Sequence, residues 1–427
     1  MTHDTNTARI GPIWLAPGVQ PHHGWSFLVA AFFSIGLMTF IAVGQTYVLN
    51  EHLKIPTAGQ GSISGDLVFF TELITLALFV PVGMLVDRIG RKAIYATGLL
   101  LLGLTYALYP LAGDVGDLYL CRVVYALGVV AVAGALSTVM ADYPAERSRG
   151  KLVALVGVLG GLGIVVTNQG FGAVPAALMK AGFSGDEAGL YTHLAVAVLA
   201  TAVAVVVALG LKPGTMVSRE DRPSVRELLI SGFAHARNPR ILLAYGSAFV
   251  ARGDQSVNAT FLVLWGSTAG IASGMSNAEA VKQGTMLFVI AQIAALVWAP
   301  ILGPLIDRMN RVTSLAVCAG LAAVGNLALV LLENPLGSYA FVFFVLLGIG
   351  QISIFLGGQA LIGQEAPPRE RGSVMGAFNV SGAIGILLIT VIGGRLFDQI
   401  DPRAPFVIVG VINVLLMIAC ALVRLRA

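Results

Sequence analysis

The 427-residue chain is predicted to be an all-α membrane protein, with twelve transmembrane helices in two pseudo-symmetric halves of six. Three observations predict this class. The chain is 57% hydrophobic and only 11% charged, whereas soluble domains carry roughly 25% charged residues. Its charges cluster in short loops between apolar runs of about 20 residues, the length a helix needs to cross hydrocarbon. One loop pattern also occurs twice, as Gly83-Met84-Leu85-Val86-Asp87-Arg88-Ile89-Gly90-Arg91-Lys92 and as Gly303-Pro304-Leu305-Ile306-Asp307-Arg308-Met309-Asn310-Arg311. Helices satisfy their own backbone polar groups in lipid, and the short alternating segments of a β-barrel are absent.

The expected spans of the first half are 25–49, 63–86, 92–111, 118–141, 151–174 and 190–211. Those of the second are 241–266, 284–306, 312–332, 339–362, 374–396 and 404–423. Residues 1–24 are polar and are expected to be a cytoplasmic tail before a first span, with no cleavable export signal. The halves are therefore 25–211 and 241–423, joined by a polar linker at 212–240 and followed by a short tail at 424–427.

Topology follows from the basic residues. One side receives Arg9, Arg88, Arg91, Lys92, Arg147, Arg149 and Lys151, then Lys212, Arg219, Arg222, Arg226, Arg237 and Arg240 in the linker. Arg308, Arg311, Arg369, Arg371, Arg424 and Arg426 join them. The other side receives only Lys54, Lys180, Lys282, Arg395 and Arg403. Positive loops stay in the cytoplasm, so both termini are expected there. The same alternation explains the formal charge of +4 without nucleic acid as a partner. Cys121, Cys318 and Cys420 all fall in apolar runs, too far apart for a metal-ligand pattern, and read as small core residues. No P-loop, HExxH or GxSxG pattern occurs, so no enzyme activity, cofactor or metal is expected, and ATP-driven pumping by this chain alone is not.

The repeat extends beyond the loop pattern. Asp142-Tyr143-Pro144-Ala145-Glu146-Arg147-Ser148-Arg149-Gly150 is echoed by Glu365-Ala366-Pro367-Pro368-Arg369-Glu370-Arg371-Gly372 at nearly the same offset. Two loops repeating together indicate two halves of common design. With Arg122 in the fourth span, these features make the chain resemble the major facilitator superfamily over essentially its whole length. The first loop is complete, while the second has Asn310 where the family has a glycine. Tyr125-Ala126 stands where proton-coupled members have Gln-Gly after the fourth-span arginine. The resemblance implies alternating access by a secondary transporter. It also implies a conformational latch at Gly83, Asp87, Arg88, Gly90 and Arg91 and at Gly303, Asp307, Arg308 and Arg311. On physical grounds Asp87 suits a helix N-terminus, and Gly83 suits a close helix approach.

Charged residues within spans are costly and mark function. Glu72 lies nine residues into its span, about 13 Å deep at 1.5 Å per residue, and is the first candidate proton carrier. Asp66 lies nearer the outer end, at a depth close to that of Arg122, and an ion pair with it is expected. These three are the proton-coupling candidates. Arg252 and Asp254, two apart, point some 200° from one another, so only one faces a cavity. Arg252 there would favour an anionic solute, and Asp254 a cation or proton. Gln45, Asn168, Gln169, Gln292, Gln351 and Asn379 are the uncharged cavity candidates, although such groups also bond between helices. The glycines of Gly157-Val158-Leu159-Gly160-Gly161-Leu162-Gly163 read as close helix packing.

The expected function is proton-coupled export of a small organic solute by a transporter that works as a monomer in a lipid bilayer, most simply a bacterial inner membrane. The alternatives are proton-coupled uptake of an organic anion, an uncoupled facilitator, or a non-transporting sensor of the same fold.

Overall fold

A computed structural model describes residues 8–214, 225–367 and 370–425, apart from the side chains of Asp87 and of residues 225–229. Arg219, Arg222, Arg369 and Arg426 lie outside the described residues, as does the side chain of Arg226.

The fold is all-α with the expected order of spans. The first span runs continuously over Pro21–His52, built from α1 (Pro21–Thr39), α2 (Ile41–Tyr47) and a closing π-turn at Val48–His52. Then come α3 (Gln60–Ile89), α4 (Arg91–Leu108), α5 (Val115–Asp142), α6 (Arg149–Lys180) and α7 (Gly185–Gly210). A short α8 (Val225–Ala234) precedes α9 (Pro239–Ala272), α10 (Asn277–Arg308), α11 (Arg311–Ala328), α12 (Phe341–Glu365), α13 (Arg371–Gln399) and α14 (Ala404–Leu425). Among the described residues, eleven spans are both long and apolar enough to cross a bilayer. The twelfth expected span, α9, has 34 residues, but Arg252, Asp254, Gln255 and Asn258 interrupt its apolar run. The described residues thus form a multi-pass integral membrane fold.

Local chemistry sets the helix starts. Asp114 accepts from the Asp117 amide, and Ser184 and Glu187 form a reciprocal capping box. Asn238, Ser276 and Asn310 cap α9, α10 and α11 in the same manner. Gly90 joins α3 to α4 at φ +103°, a conformation open to glycine.

Two compact units divide the chain. The first holds residues 1–53 and 74–220, and the second holds 54–73 and 221–427. The early turns of α3 therefore group with the second unit. In the first unit α4 packs on α5 and α7, and α1 packs on α6 and α7. Phe27, Phe40, Tyr47, Tyr95, Tyr106 and Tyr109 fill its interior. In the second, α9 packs on α10 and α13, and α11 on α12 and α14, around Phe261, Trp265, Phe344 and Phe406. Leu120, Val198 and Leu209 stay exposed on helix exteriors, as suits a lipid solvent in which apolar surface carries no penalty.

Glycine sets the closest helix approaches. A Cβ at Gly163 of α6 would overlap the Phe32 carbonyl of α1, and one at Gly36 would meet the Gly163 carbonyl at 2.5 Å. A Cβ at Gly385 of α13 would overlap the Phe249 carbonyl of α9 in the same manner. The repeated design is thus written into the packing of each unit. Gly160 likewise fits against Ile35, which accords with the close packing predicted for the glycine-rich segment.

Two regions that read as plain polar connections carry structure. Residues 9–14 form a small hairpin of β1 (Arg9–Ile10) and β2 (Ile13–Trp14). The hairpin binds the loop after α5 through Trp14 N to Ser148 Oγ at 3.0 Å and Ala145 N to the Trp14 carbonyl at 2.8 Å. Arg147 stacks on the Trp14 ring. In the linker, α8 docks on the second unit: Tyr245 donates to the Gly232 carbonyl at 2.8 Å, and Ser231 donates to Glu370 at 2.8 Å. Ile10, Ile13 and Leu15 are buried, and it is their apolar side chains that hold the tail in place.

Candidate functional site

In the second unit, the start of α3 lies against the end of α13. Arg395 donates to both carboxylate oxygens of Asp66, at 2.6 and 3.1 Å. Asp398, three residues further along α13, accepts the amides of Gly61 at 2.9 Å and Ser62 at 2.7 Å. An anion at a helix N-terminus both satisfies free N–H groups and meets the positive end of the helix dipole. Small residues allow the approach, since a Cβ at Gly65 would meet the Thr390 carbonyl at 2.5 Å. The expected pairing of Asp66 with Arg122 is corrected here, because Arg395 is the partner of Asp66. Arg395 counted in the sequence only as one of the five basic residues on the non-cytoplasmic side, but α13 continues to Gln399 and carries it within reach.

Glu72 sits almost two turns beyond Asp66 on α3, half-buried. Among the described residues it has no hydrogen bond or ion pair, and the basic group whose field reaches its carboxyl is Arg252 of α9. Arg252 is exposed, bonds Gln255 Oε1 at 3.1 Å, and runs its stem across Gly382 of α13. Burial separates the two residues, since Arg252 is exposed and Asp254 is 0% exposed. Asp254 accepts from Asn258 Nδ2 at 3.0 Å, and Asn326 Nδ2 of α11 lies 3.5 Å from each of its oxygens.

The other polar candidates divide in two. Gln292 donates to Gln351 at 3.2 Å, binding α10 to α12, and Trp298 donates to Ser353 beside them. Asn379 is exposed on α13. In the first unit, Asn168 is buried and donates to Thr39 at 2.8 Å, while its carbonyl oxygen and that of Gln169 have no hydrogen-bond partner among the described residues. Arg122, only 3% exposed, donates to Gln45, which also accepts from Tyr109 at 3.1 Å. The guanidinium lies 5.3 Å from the Tyr125 ring centre and 6.0 Å from that of Tyr109, within the range of cation–π attraction. Tyr125 therefore stands beside the arginine as a ring and not as an amide.

The repeated loop shows two different pairings. Arg91 is buried and pairs with Asp142, tying the start of α4 to the end of α5. Asp307 pairs with Arg311 one turn on, at 3.0 Å, and Arg311 also caps the Ile306 carbonyl. Arg88 and Arg308 are exposed. The side chain of Asp87 lies outside the described residues. The expectation that Gly83 serves a close approach is corrected, since a Cβ at Gly83 or Gly303 meets nothing within 4 Å among the described residues. The three cysteines are buried and free, and no cluster of three His, Cys, Asp or Glu side chains suited to a metal occurs among the described residues.

Sequence reasoning missed Arg395, Asp398, Asn258 and Asn326. Asn258 had a local signal, four residues after Asp254 on one helix face. Asn326 had none, because only folding brings α11 to α9.

With this architecture in hand, comparison places the chain. The profile of the Major Facilitator Superfamily matches residues 26–389 and 281–427, and the chain belongs to this family of membrane transporters. It is 27% identical over 405 residues to magnetosome protein MamH of Paramagnetospirillum magneticum, across 92% of this chain and 90% of that one. It is 23% identical to the inner membrane transport protein YajR of Escherichia coli, across 78% of this chain and 69% of that one. The fold is shared with the nucleoside transporter NupG, in its D323A mutant structure, at a TM-score of 0.72 and 14% identity, across 93% of this chain and 98% of that one.

Proposed function

We propose that the chain is a secondary active transporter that exports a small organic solute in exchange for protons, by alternating access, in a bacterial inner membrane. The observation that carries this reading is Glu72, a half-buried carboxyl on a spanning helix with Arg252 as the basic group acting on it. A carboxyl so placed changes its attraction to Arg252 whenever it gains or loses a proton. A solute that needs the charged form then competes with the proton for one group, which is the requirement for exchange. Arg122 would tune the first unit through Gln45, and the monomer would suffice. The excess of basic residues in alternate loops supports a cytoplasmic position for both termini. The names of YajR and NupG, a transport protein and a nucleoside transporter, support a small solute as cargo.

A second reading has one observation in its favour. The exposed guanidinium of Arg252 suits an organic anion, which would enter together with a proton.

The test is proton movement in proteoliposomes containing a pH-sensitive dye, with organic anions screened against cationic and neutral amphiphiles, in wild type and Glu72→Gln. Solute-evoked proton flux of opposite sense to the solute, lost in the variant, is expected. Flux in the same sense supports uptake instead. Solute flux without proton flux, unchanged in Glu72→Gln, sinks the coupling. An absence of flux for every class of solute leaves a sensor of the same fold.

A further inference from the structure

Glu72 and Arg252 carry opposite charges in the second unit and do not close on one another. Among the described residues Glu72 has no hydrogen bond or ion pair, and Arg252 acts on it from a distance. Helix register explains why the two converge. A Cβ at Gly61 of α3 would meet the Gly394 carbonyl of α13 at 2.8 Å, and one at Gly65 would meet the Thr390 carbonyl at 2.5 Å. Each step forward on α3 is thus a step back on α13, which brings Glu72 level with Ala383. Arg252 crosses α13 at the adjoining position, since a Cβ at Gly382 would meet its Cγ at 2.7 Å. The acid and the base therefore reach one level of α13 from two neighbouring helices.

Both groups keep bonding capacity. Arg252 gives an N–H to Gln255 Oε1 at 3.1 Å, and a guanidinium has five such donors. Arg252 is exposed and Glu72 half-buried, and charged groups within a membrane bundle face protein or water and not lipid. Other charges on these helices are already engaged. Asp66 is held by Arg395, and Asp398 by the amides of Gly61 and Ser62. Asp254 faces the amides of Asn258 and Asn326. Asn379, exposed three positions before Gly382, lies on the same face of α13 and adds a neutral amide.

We propose, building on the exchange through Glu72, that the exported solute is an α-amino acid zwitterion, its carboxylate held by Arg252 and its ammonium group by Glu72. Charge selects this class. A simple anion is repelled by ionised Glu72, and a simple cation by Arg252. A zwitterion is attracted by both and brings no net charge into the site. An α-amino acid carries its two charges on one carbon, which matches an acid and a base level with adjacent residues of α13. The planar guanidinium can give the carboxylate two parallel bonds. A proton arriving on Glu72 removes the counter-charge of the ammonium group alone, so one end of the solute loosens as the proton enters.

The purified full-length protein in proteoliposomes tests this with the common α-amino acids, and then with the methyl ester and the N-acetyl derivative of the one bound most tightly. Thermal unfolding with each compound measures binding, and a pH-sensitive dye measures coupled flux. At least one amino acid should raise the unfolding midpoint and drive proton movement. Each singly charged derivative should bind at least about tenfold more weakly, the cost of a lost hydrogen bond to a charged group. Arg252→Gln should lose the preference over the methyl ester, and Glu72→Gln the preference over the N-acetyl derivative. General destabilisation does not produce that reciprocal pattern. Failure of every amino acid to bind folded wild type overturns the zwitterion, as does equal binding of amino acid, ester and N-acetyl derivative. Either result leaves proton exchange standing if another solute still moves protons in the opposite sense. Amino acid binding with the reciprocal pattern but without proton flux upholds the zwitterion site and removes the exchange.

Discussion

Arg395 holds Asp66 with two hydrogen bonds, at 2.6 and 3.1 Å, although 329 positions separate them in the chain. One turn along, Asp398 caps the first amides of the helix that carries Asp66. Two opposite arrangements of charge thus meet along one seam, a carboxylate on α3 facing a guanidinium on α13, and a carboxylate on α13 facing the N-terminus of α3.

Removal of either partner of the ion pair should weaken this seam modestly. The side chains of Arg395 and Asp66 are 43% and 33% exposed, so solvent screening limits the pair to about 1 kcal/mol despite its two-bond geometry. A double-mutant cycle of Asp66→Asn and Arg395→Gln in thermal unfolding should show a favourable coupling energy that shrinks in high salt. Additive single effects would reduce the pair to a bystander. Asp398→Ala should cost about 0.5–2 kcal/mol, the range of a lost N-cap.

The contact between α1 and α6 should tolerate no methyl group at Gly163. The added carbon overlaps the Phe32 carbonyl, which is backbone and cannot swing aside. Gly163→Ala should destabilise by about 1–3 kcal/mol, as overpacking does. Gly157→Ala, where the added carbon meets nothing within 4 Å, should stabilise by about 0.5–1 kcal/mol through helix propensity. Unfolding midpoints of opposite sign relative to wild type are the expected result, and equal shifts would refute the packing account.

Arg122→Lys should not behave as a conservative change. Lysine keeps the charge but loses the flat guanidinium that lies beside Tyr109 and Tyr125 and bonds Gln45. A loss of about 1.5–3 kcal/mol is expected in unfolding experiments, the range for hydrogen bonds to charged groups. Gln45→Leu should cost less in the Arg122→Lys background than in wild type, because the two residues share one bond.

The loop between α13 and α14 should give a small acid-sensitive contribution to stability. Hydrogen bonds from Arg403 hold the Asp401 carboxyl below the usual carboxylate range. Its folded value lies beneath its unfolded one, so the contribution is fully present above about pH 4, the ordinary aspartate range. It is lost as pH falls through the folded value. With the two side chains 30% and 34% exposed, it amounts to less than about 1 kcal/mol. Unfolding midpoints of wild type and Asp401→Asn should differ at neutral pH and converge in acid, whereas a gap independent of pH would assign the effect to packing.

The fold was legible because lipid admits few solutions. Apolar runs of span length give helices, and basic loops at alternate ends predict their direction. A doubled loop predicts two halves, and most helix ends lie within five residues of the expected positions, while α6, α9 and α10 extend six or seven residues beyond them. The hairpin at Arg9–Trp14 and the helix Val225–Ala234 escaped because each is too short for a periodic signal. They are held by neighbours far away in sequence, such as Ser148 and Tyr245.

The sequence alone placed Glu72 and Arg122 within helices long and apolar enough to cross a membrane, and Arg252 and Asp254 within the long helix α9. It also determined that Arg252 and Asp254 face opposite ways, because helical geometry allows nothing else. Only the tertiary structure decided which of these is exposed and which is buried, and that Asp66 belongs to Arg395 and not to Arg122. The physical reason is that a helix specifies the direction of a side chain about its own axis. What waits in that direction, whether a carboxylate, an amide or a ring, is set by the helix that packs there.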